Sequence, residues 1–122
     1  MSKAYDFLRE CDCFYVLTIN HNFPAGRPFG AVMEYEDKLY ISTHDGNHVH
    51  EQLRDNGNIQ LLAKKEHTRE WLRITGKSIE CHDLVIKQKM LECCPVLAKH
   101  FPSADSEHFL VFQVEPLNVE FH

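Results

Sequence analysis

The sequence predicts an α+β protein whose antiparallel sheet closes, or nearly closes, into a barrel with flanking helices. Three observations carry this expectation. About six short stretches rich in β-branched and aromatic residues alternate in polarity with a period of two. Turn residues separate them at short intervals, as in antiparallel barrels. Helical patterns occur only at the connections. A length of 122 residues fits one domain spanning 1–122, within the usual range of about 100–200 residues. Hydrophobic content of 43% and charged content of 25% are ordinary for a globular chain.

Element by element, Ala4, Phe7, Leu8 and Cys11 form one apolar helical stripe, with Ser2 placed to cap it. FYVLTI (14–19) is a strand, and NHNFPAG (20–26) has the composition of a turn. The run 27–35 alternates as a second strand. Phe29, Ala31, Met33 and Tyr35 share one face; Pro28, Gly30, Val32 and Glu34 share the other. Glu36 and Asp37 are expected to turn this strand into KLYIST (38–43) as an antiparallel hairpin. HDGN (44–47) leads into a short helix carrying Val49 and Leu53, stopped by Asn56 and Gly57. IQLLA (59–63) and WLRITGKSIEC (71–81) are the next strands, with Leu72 and Ile74 on one face. Asp83 caps a helix bearing Ile86, Met90 and Leu91 and ended by Pro95. VLAKHF (96–101) forms a further short helix. FLVFQV (109–114) and a separate NVEF segment close the chain, divided by Pro116.

Composition excludes several functions. A net charge of −5 without a basic run argues against nucleic-acid binding. No apolar run reaches membrane-spanning length, and the N-terminus lacks a signal-peptide core, so a cytoplasmic location is expected. Five cysteines, an odd number, fit reduced thiols better than a disulfide framework. Cys93 and Cys94 are expected in a helix core. His44, His48 and His50 lie at a helix start, and Cys81, His82 and Asp83 lie together later. Neither group has a recognised metal-ligand spacing, so no metal is expected. No nucleophile elbow, P-loop or dinucleotide fingerprint occurs.

One constellation points to chemistry. If 27–35 pairs with 38–43, Arg27 lies near Thr43 and the helix start at His44 to His48. Exposed amides and a guanidinium there would suit a phosphate. The hydroxyls of Ser42 and Thr43 and the Asn47 amide add further donors. Gly30, lacking a side chain, would let a flat ring approach the strand. The same residues admit a structural reading: Arg27 a solvated strand end, Gly30 a bulge, Thr43 an ordinary strand residue. Composition and spacing leave both open.

The runs RPFGAVMEYEDKLYIST, EQLRDNGNI, WLRITGKS and KQKML resemble the pyridoxamine 5'-phosphate oxidase-like family of FMN-binding split barrels, over nearly the whole chain. The resemblance implies a six-stranded split β-barrel and a homodimer with FMN at its interface. It sets Arg27, Pro28, Phe29, Gly30 and Val32 along the flavin, and Ser42, Thr43, His44, Asn47 and His48 around the phosphate. Trp71, on the strand face opposite Leu72 and Ile74, admits two readings, a place near the flavin or the dimer seam and an ordinary half-buried aromatic. The implied function is an FMN-dependent oxidoreductase acting on a small organic substrate, with no catalytic acid or base identified. A non-catalytic flavin or haem electron carrier, or a barrel dimer that has lost its cofactor, are the alternatives. The short C-terminal region is expected to leave little room for the substrate contacts of the vitamin enzyme. One departure stands out: relatives place a lysine in the turn that reads THDGNHVH here, and Asp45 adds a negative charge.

Overall fold

The computed structural model describes residues 2–122, and of Ser2 only its backbone, so the cap expected from its side chain lies outside the described residues. α1 (Ser2–Glu10) buries Ala4, Phe7 and Leu8 of the expected stripe, whereas Cys11 lies just past its end and is half-buried. β1 (Phe14–Asn20) turns at His21 and Asn22 into β2 (Phe23–Phe29). The turn expected over 20–26 is therefore only two residues long. Its Pro24, and Pro28 further on, are tolerated because β2 is an edge strand that needs few N–H donors.

The run 27–35 is not one strand. β2 ends at Phe29, and β3 (Val32–Tyr35) begins after Gly30 and Ala31. β2 pairs with β1, setting Arg27 opposite Val16, whereas β3 pairs with β4 (Lys38–His44). The expected hairpin is thus present only from Val32 onward, and its pairing does not bring Arg27 toward Thr43. Glu36 and Asp37 both have positive φ, 51° and 63°, as a two-residue hairpin turn requires.

α2 (Val49–Asp55) leads to β5 (Asn58–Lys64) and the long β6 (Trp71–Cys81). α3 (Leu84–Cys93) is capped by Asp83, whose carboxylate accepts the Val85 amide at 2.9 Å. α4 (Pro95–Ala98) is shorter than the expected 96–101 helix. β7 (Phe109–Phe121) runs through Pro116 as one strand where two segments were expected. The proline is accommodated because the β6–β7 register shifts between Thr75 and Gly76, opposite it.

All seven strands, one more than expected, pair antiparallel in the order β2-β1-β5-β6-β7-β4-β3. The two edge strands, β2 and β3, are consecutive in the chain. Gly30 and Ala31 therefore link the sheet's two edges covalently at a place where no ladder joins them. α1 packs on β3, while α2 packs on β1 and β4.

Two apolar clusters follow. The first fills the barrel with Phe14, Val16, Leu61, Leu72, Ile74 and Phe112, closed by α1 and α2. The second lies on the outer face of β3, β4 and β7, where Met33, Tyr40, Phe109 and Val111 meet Met90, Leu91 and Phe101. β3 is consequently buried on both faces, with Val32 in the first cluster and Met33 in the second. No helix among the described residues is long and apolar enough to cross a membrane.

Candidate functional site

A cleft of ≈ 730 Å³ opens where the sheet's edges are linked. That volume is in the range of small-molecule sites, about 300–1,000 Å³. Pro28, Phe29, Gly30 and Ala31 form one wall. The end of β4 and its turn, Ser42 through Asn47, form the second. α4 and the loop after it supply the third, with Val96, Leu97, His100, Phe101 and His108. The cleft mixes apolar surface with a few polar groups, the usual makeup of a cofactor or substrate site.

The polar groups differ in what they have left to offer. Asn47 is committed to its own turn: its amide nitrogen donates to Thr43 Oγ1 at 3.0 Å, and its carbonyl accepts the Val49 amide at 3.1 Å. His44 Nδ1 accepts the Gly46 amide at 3.0 Å. Two of the amides expected to face an anion are therefore already bonded. Ser42 is different. Its hydroxyl is buried without a partner among the described residues, although it borders the cleft. A buried hydroxyl with no partner carries a desolvation cost that a ligand atom would relieve.

Gly30 is the second opening. A Cβ built there meets nothing within 4 Å, so no packing within the chain requires glycine. The space beside its backbone belongs to the cleft.

Arg27 does not line the cleft. Its guanidinium donates to Val16 O at 3.1 Å, Thr18 Oγ1 at 2.8 Å and Gln52 Oε1 at 2.9 Å. It thereby ties β2 to β1 and α2. All three acceptors are neutral, and burial draws its pKa below the ordinary arginine value. Arg27→Met is expected to lower unfolding stability by about 2 kcal/mol, since Thr18 and Gln52 would lose a charged donor. The urea midpoint measures this; an unshifted midpoint would show that the three bonds tie nothing together.

The remaining expected site residues are dispersed. Val32 is barrel core. His48, the residue before α2, pairs with Glu51 at 3.1 Å and borders a separate cleft of ≈ 480 Å³ with His21 and Gln52. Trp71 stacks on His122 with ring centroids 4.2 Å apart and lies outside the main cleft. Pro28, Phe29, Gly30, Ser42, Thr43, His44 and Asn47 are brought together. Among the described residues, no group of three or more His, Cys, Asp or Glu is placed to hold a metal ion.

The third wall went unread in the sequence. The 96–101 helix was visible, but nothing in its pattern told a cleft-facing side chain from a core one. His108 gave no signal at all. It meets Asp45 with Nδ1 2.9 Å from both carboxylate oxygens, bridging the β4–α2 turn and the loop before β7. Hydrogen bonding to Asp45 raises the His108 pKa, and the same bond lowers that of Asp45. The cleft's basic side chains are His44, His100 and His108, and no Lys or Arg borders it.

The family model for pyridoxamine 5'-phosphate oxidase matches residues 2–122. Among solved structures, the chain is similar to a NimC/NimA family protein of Clostridium acetobutylicum, at 30% identity and a TM-score of 0.88, covering 99% of this chain and 91% of that one. General stress protein 26 of Bacillus anthracis has the same fold, at 12% identity and TM-score 0.81, covering 98% and 91%. So does a Clostridium acetobutylicum protein related to general stress protein 26, of the pyridoxinephosphate oxidase family, at 15% identity and TM-score 0.80, covering 99% and 86%. No curated protein sequence matches the chain.

Proposed function

Since the chain belongs to the pyridoxamine 5'-phosphate oxidase family, we propose that it binds FMN in the cleft between Gly30 and the turn at 42–47, as an oxidoreductase acting on a small organic substrate. The observation that carries this reading is the pairing, across one cleft, of Gly30's open backbone with Ser42's partnerless buried hydroxyl. A flat ring needs the first, and a polar edge or ribityl hydroxyl satisfies the second. Bound FMN would supply hydride and electron transfer. The residues here position it: Pro28 to Ala31 flank the ring, Ser42 and Thr43 offer hydroxyls, and Phe101 and Leu97 exclude water.

The proposal includes a homodimer with the cofactor at its seam. The outer face of β1 and its neighbours supports it, being apolar over a broad area. Tyr15 is 48% exposed there, beside half-buried Leu17, Ile19 and Leu62. Sedimentation equilibrium tests this part: a monomer would move the site onto single chains.

The visible absorption spectrum of the purified protein, before and after adding FMN, is the deciding experiment. A bound-flavin spectrum, with NADH- or NADPH-dependent turnover, supports an oxidoreductase. Bound flavin without turnover leaves a carrier. A haem spectrum, or no change on adding FMN, overturns the assignment.

Affinity for FMN is expected to fall as pH rises. Below the raised pKa of His108 its positive charge neutralises Asp45; above it, Asp45 stands as a bare carboxylate at the cleft. Fluorescence titration from about pH 6.5 to about pH 8.5 should show FMN weakening while riboflavin, lacking the phosphate, stays flat. An FMN affinity that rises with pH refutes the electrostatic argument.

A further inference from the structure

Two adjacent thiols sit at the elbow between α3 and α4. Cys93 is the last residue of α3, Cys94 follows it with φ −123° and ψ 82°, and Pro95 opens α4. The helix core expected for them is not where they lie. Both are half-buried at the end of α3, against the second apolar cluster. Both sulfurs are directed at one acceptor, the Val32 carbonyl of β3, at 3.6 Å for Cys94 and 4.0 Å for Cys93. A shared acceptor puts the two sulfurs on the same side of the elbow. Tyr5 completes the cluster, its hydroxyl 3.7 Å from Cys93 Sγ and bonded by Arg9 at 2.6 Å.

Burial, then the neighbouring thiol, push the Cys94 pKa up to about 11. At neutral pH this thiol stays protonated, so thiol–disulfide exchange, which needs thiolate, is slow. Adjacent cysteines are also poorly placed for a disulfide: a trans peptide holds their Cα atoms about 3.8 Å apart, below the usual span of about 4.4–6.8 Å. Soft electrophiles escape the limit of span, because an interposed atom widens the bridge between the sulfurs, and the two bonds they form displace the thiol protons.

We propose that Cys93 and Cys94 form a dithiol capture site for soft, thiophilic electrophiles of the trivalent arsenical class. With an organoarsenic oxide, two As–S bonds form and the As=O bond breaks. Both S–H bonds break, and one water leaves carrying the oxygen and both protons. Arsenic stays trivalent and sulfur is not oxidised, so no further reactant is needed. The elbow leads directly into Val96 and Leu97 of the cleft wall, so capture would stiffen that wall from behind.

Cys11 and Cys13 are the competing pair, but they diverge. Cys11 Sγ is directed at Phe7 O, 3.3 Å, and Lys64 O, 3.6 Å, whereas Cys13 is exposed.

The test is equimolar phenylarsine oxide on the intact protein without reductant, read by mass spectrometry. One phenylarsenic group per chain should add with loss of two protons, and trypsin should place it in the 90–99 peptide bounded by Lys89 and Lys99. A dithiol should remove it and excess monothiol should not. Cys93→Ser or Cys94→Ser should abolish the adduct, and Cys11→Ser should retain it. Mapping in the wild-type chain is independent of how the variants fold. No adduct, an adduct on the peptide holding Cys11 and Cys13, or an adduct surviving in Cys94→Ser overturns the proposal. None of these outcomes depends on flavin binding.

Discussion

Gly30→Val is expected to fold as well as the natural chain and to bind FMN about 10- to 100-fold more weakly. The first half follows from open space. A Cβ at this position meets no atom within 4 Å, and no glycine in the chain has a positive φ that a side chain would strain. Restricting the unfolded chain adds a small stabilisation, if any. The second half follows from what fills that space. A ring lying on the Gly30 backbone would collide with the isopropyl group, an overpacking cost of about 1–3 kcal/mol. Each 1.4 kcal/mol or so is tenfold in affinity. The measurements are thermal melting without flavin and quenching of FMN fluorescence. Gly30→Ala should fall between the two proteins. Equal affinity in all three, with equal melting temperatures, would remove the ring from Gly30.

Gly76→Ala is expected to do the reverse, damaging the fold by about 3 kcal/mol or more. Its Cβ would lie 2.2 Å from Glu115 O, 3.0 Å from Glu115 C and 3.2 Å from Pro116 Cα. All three are backbone atoms in the paired strand, so no side chain can swing away. Relief requires the β6–β7 ladder itself to move at its register shift. That bulge sits between two of the longest strands, and the irregularity is what accommodates Pro116. Against a typical total of about 5–15 kcal/mol, such a loss is large. The denaturant midpoint should drop sharply with little change in slope. A midpoint matching the natural protein would mean that the strands separate there at little cost.

The two glycines look alike in the sequence, each a single glycine within an alternating run. Only the pairing partner distinguishes them. Gly76 faces a backbone carbonyl of β7; Gly30 faces solvent at the place where β2 and β3 part.

Local structure was legible wherever the information is local. The stripe of α1, the positive-φ turn at Glu36 and Asp37, the cap at Asp83 and the alternation of Leu72 and Ile74 concern residues a few positions apart. Turn chemistry and side-chain periodicity act at that range. The stop at Gly30 was not legible, because alternation continues smoothly across it from Phe29 to Met33. Period-two patterning states which residues share a face but not which strand lies beside them.

The candidate site divides along the same line. The segments 28–31 and 42–47 were identifiable from their turn residues, hydroxyls and glycine, and they do face one cleft. The place of Arg27 was misjudged because the edge pairing of β2 with β1 carries it to Thr18 and Gln52 instead. Asp45 and His108, distant in the chain, meet because antiparallel pairing sets His44 opposite Phe109 and delivers the next residues to the same end of the sheet. Composition, periodicity and turns thus specified the strands and helices, since those depend on neighbouring residues. Which side chains share a cleft depended on barrel closure, a long-range pairing with no trace in any short window.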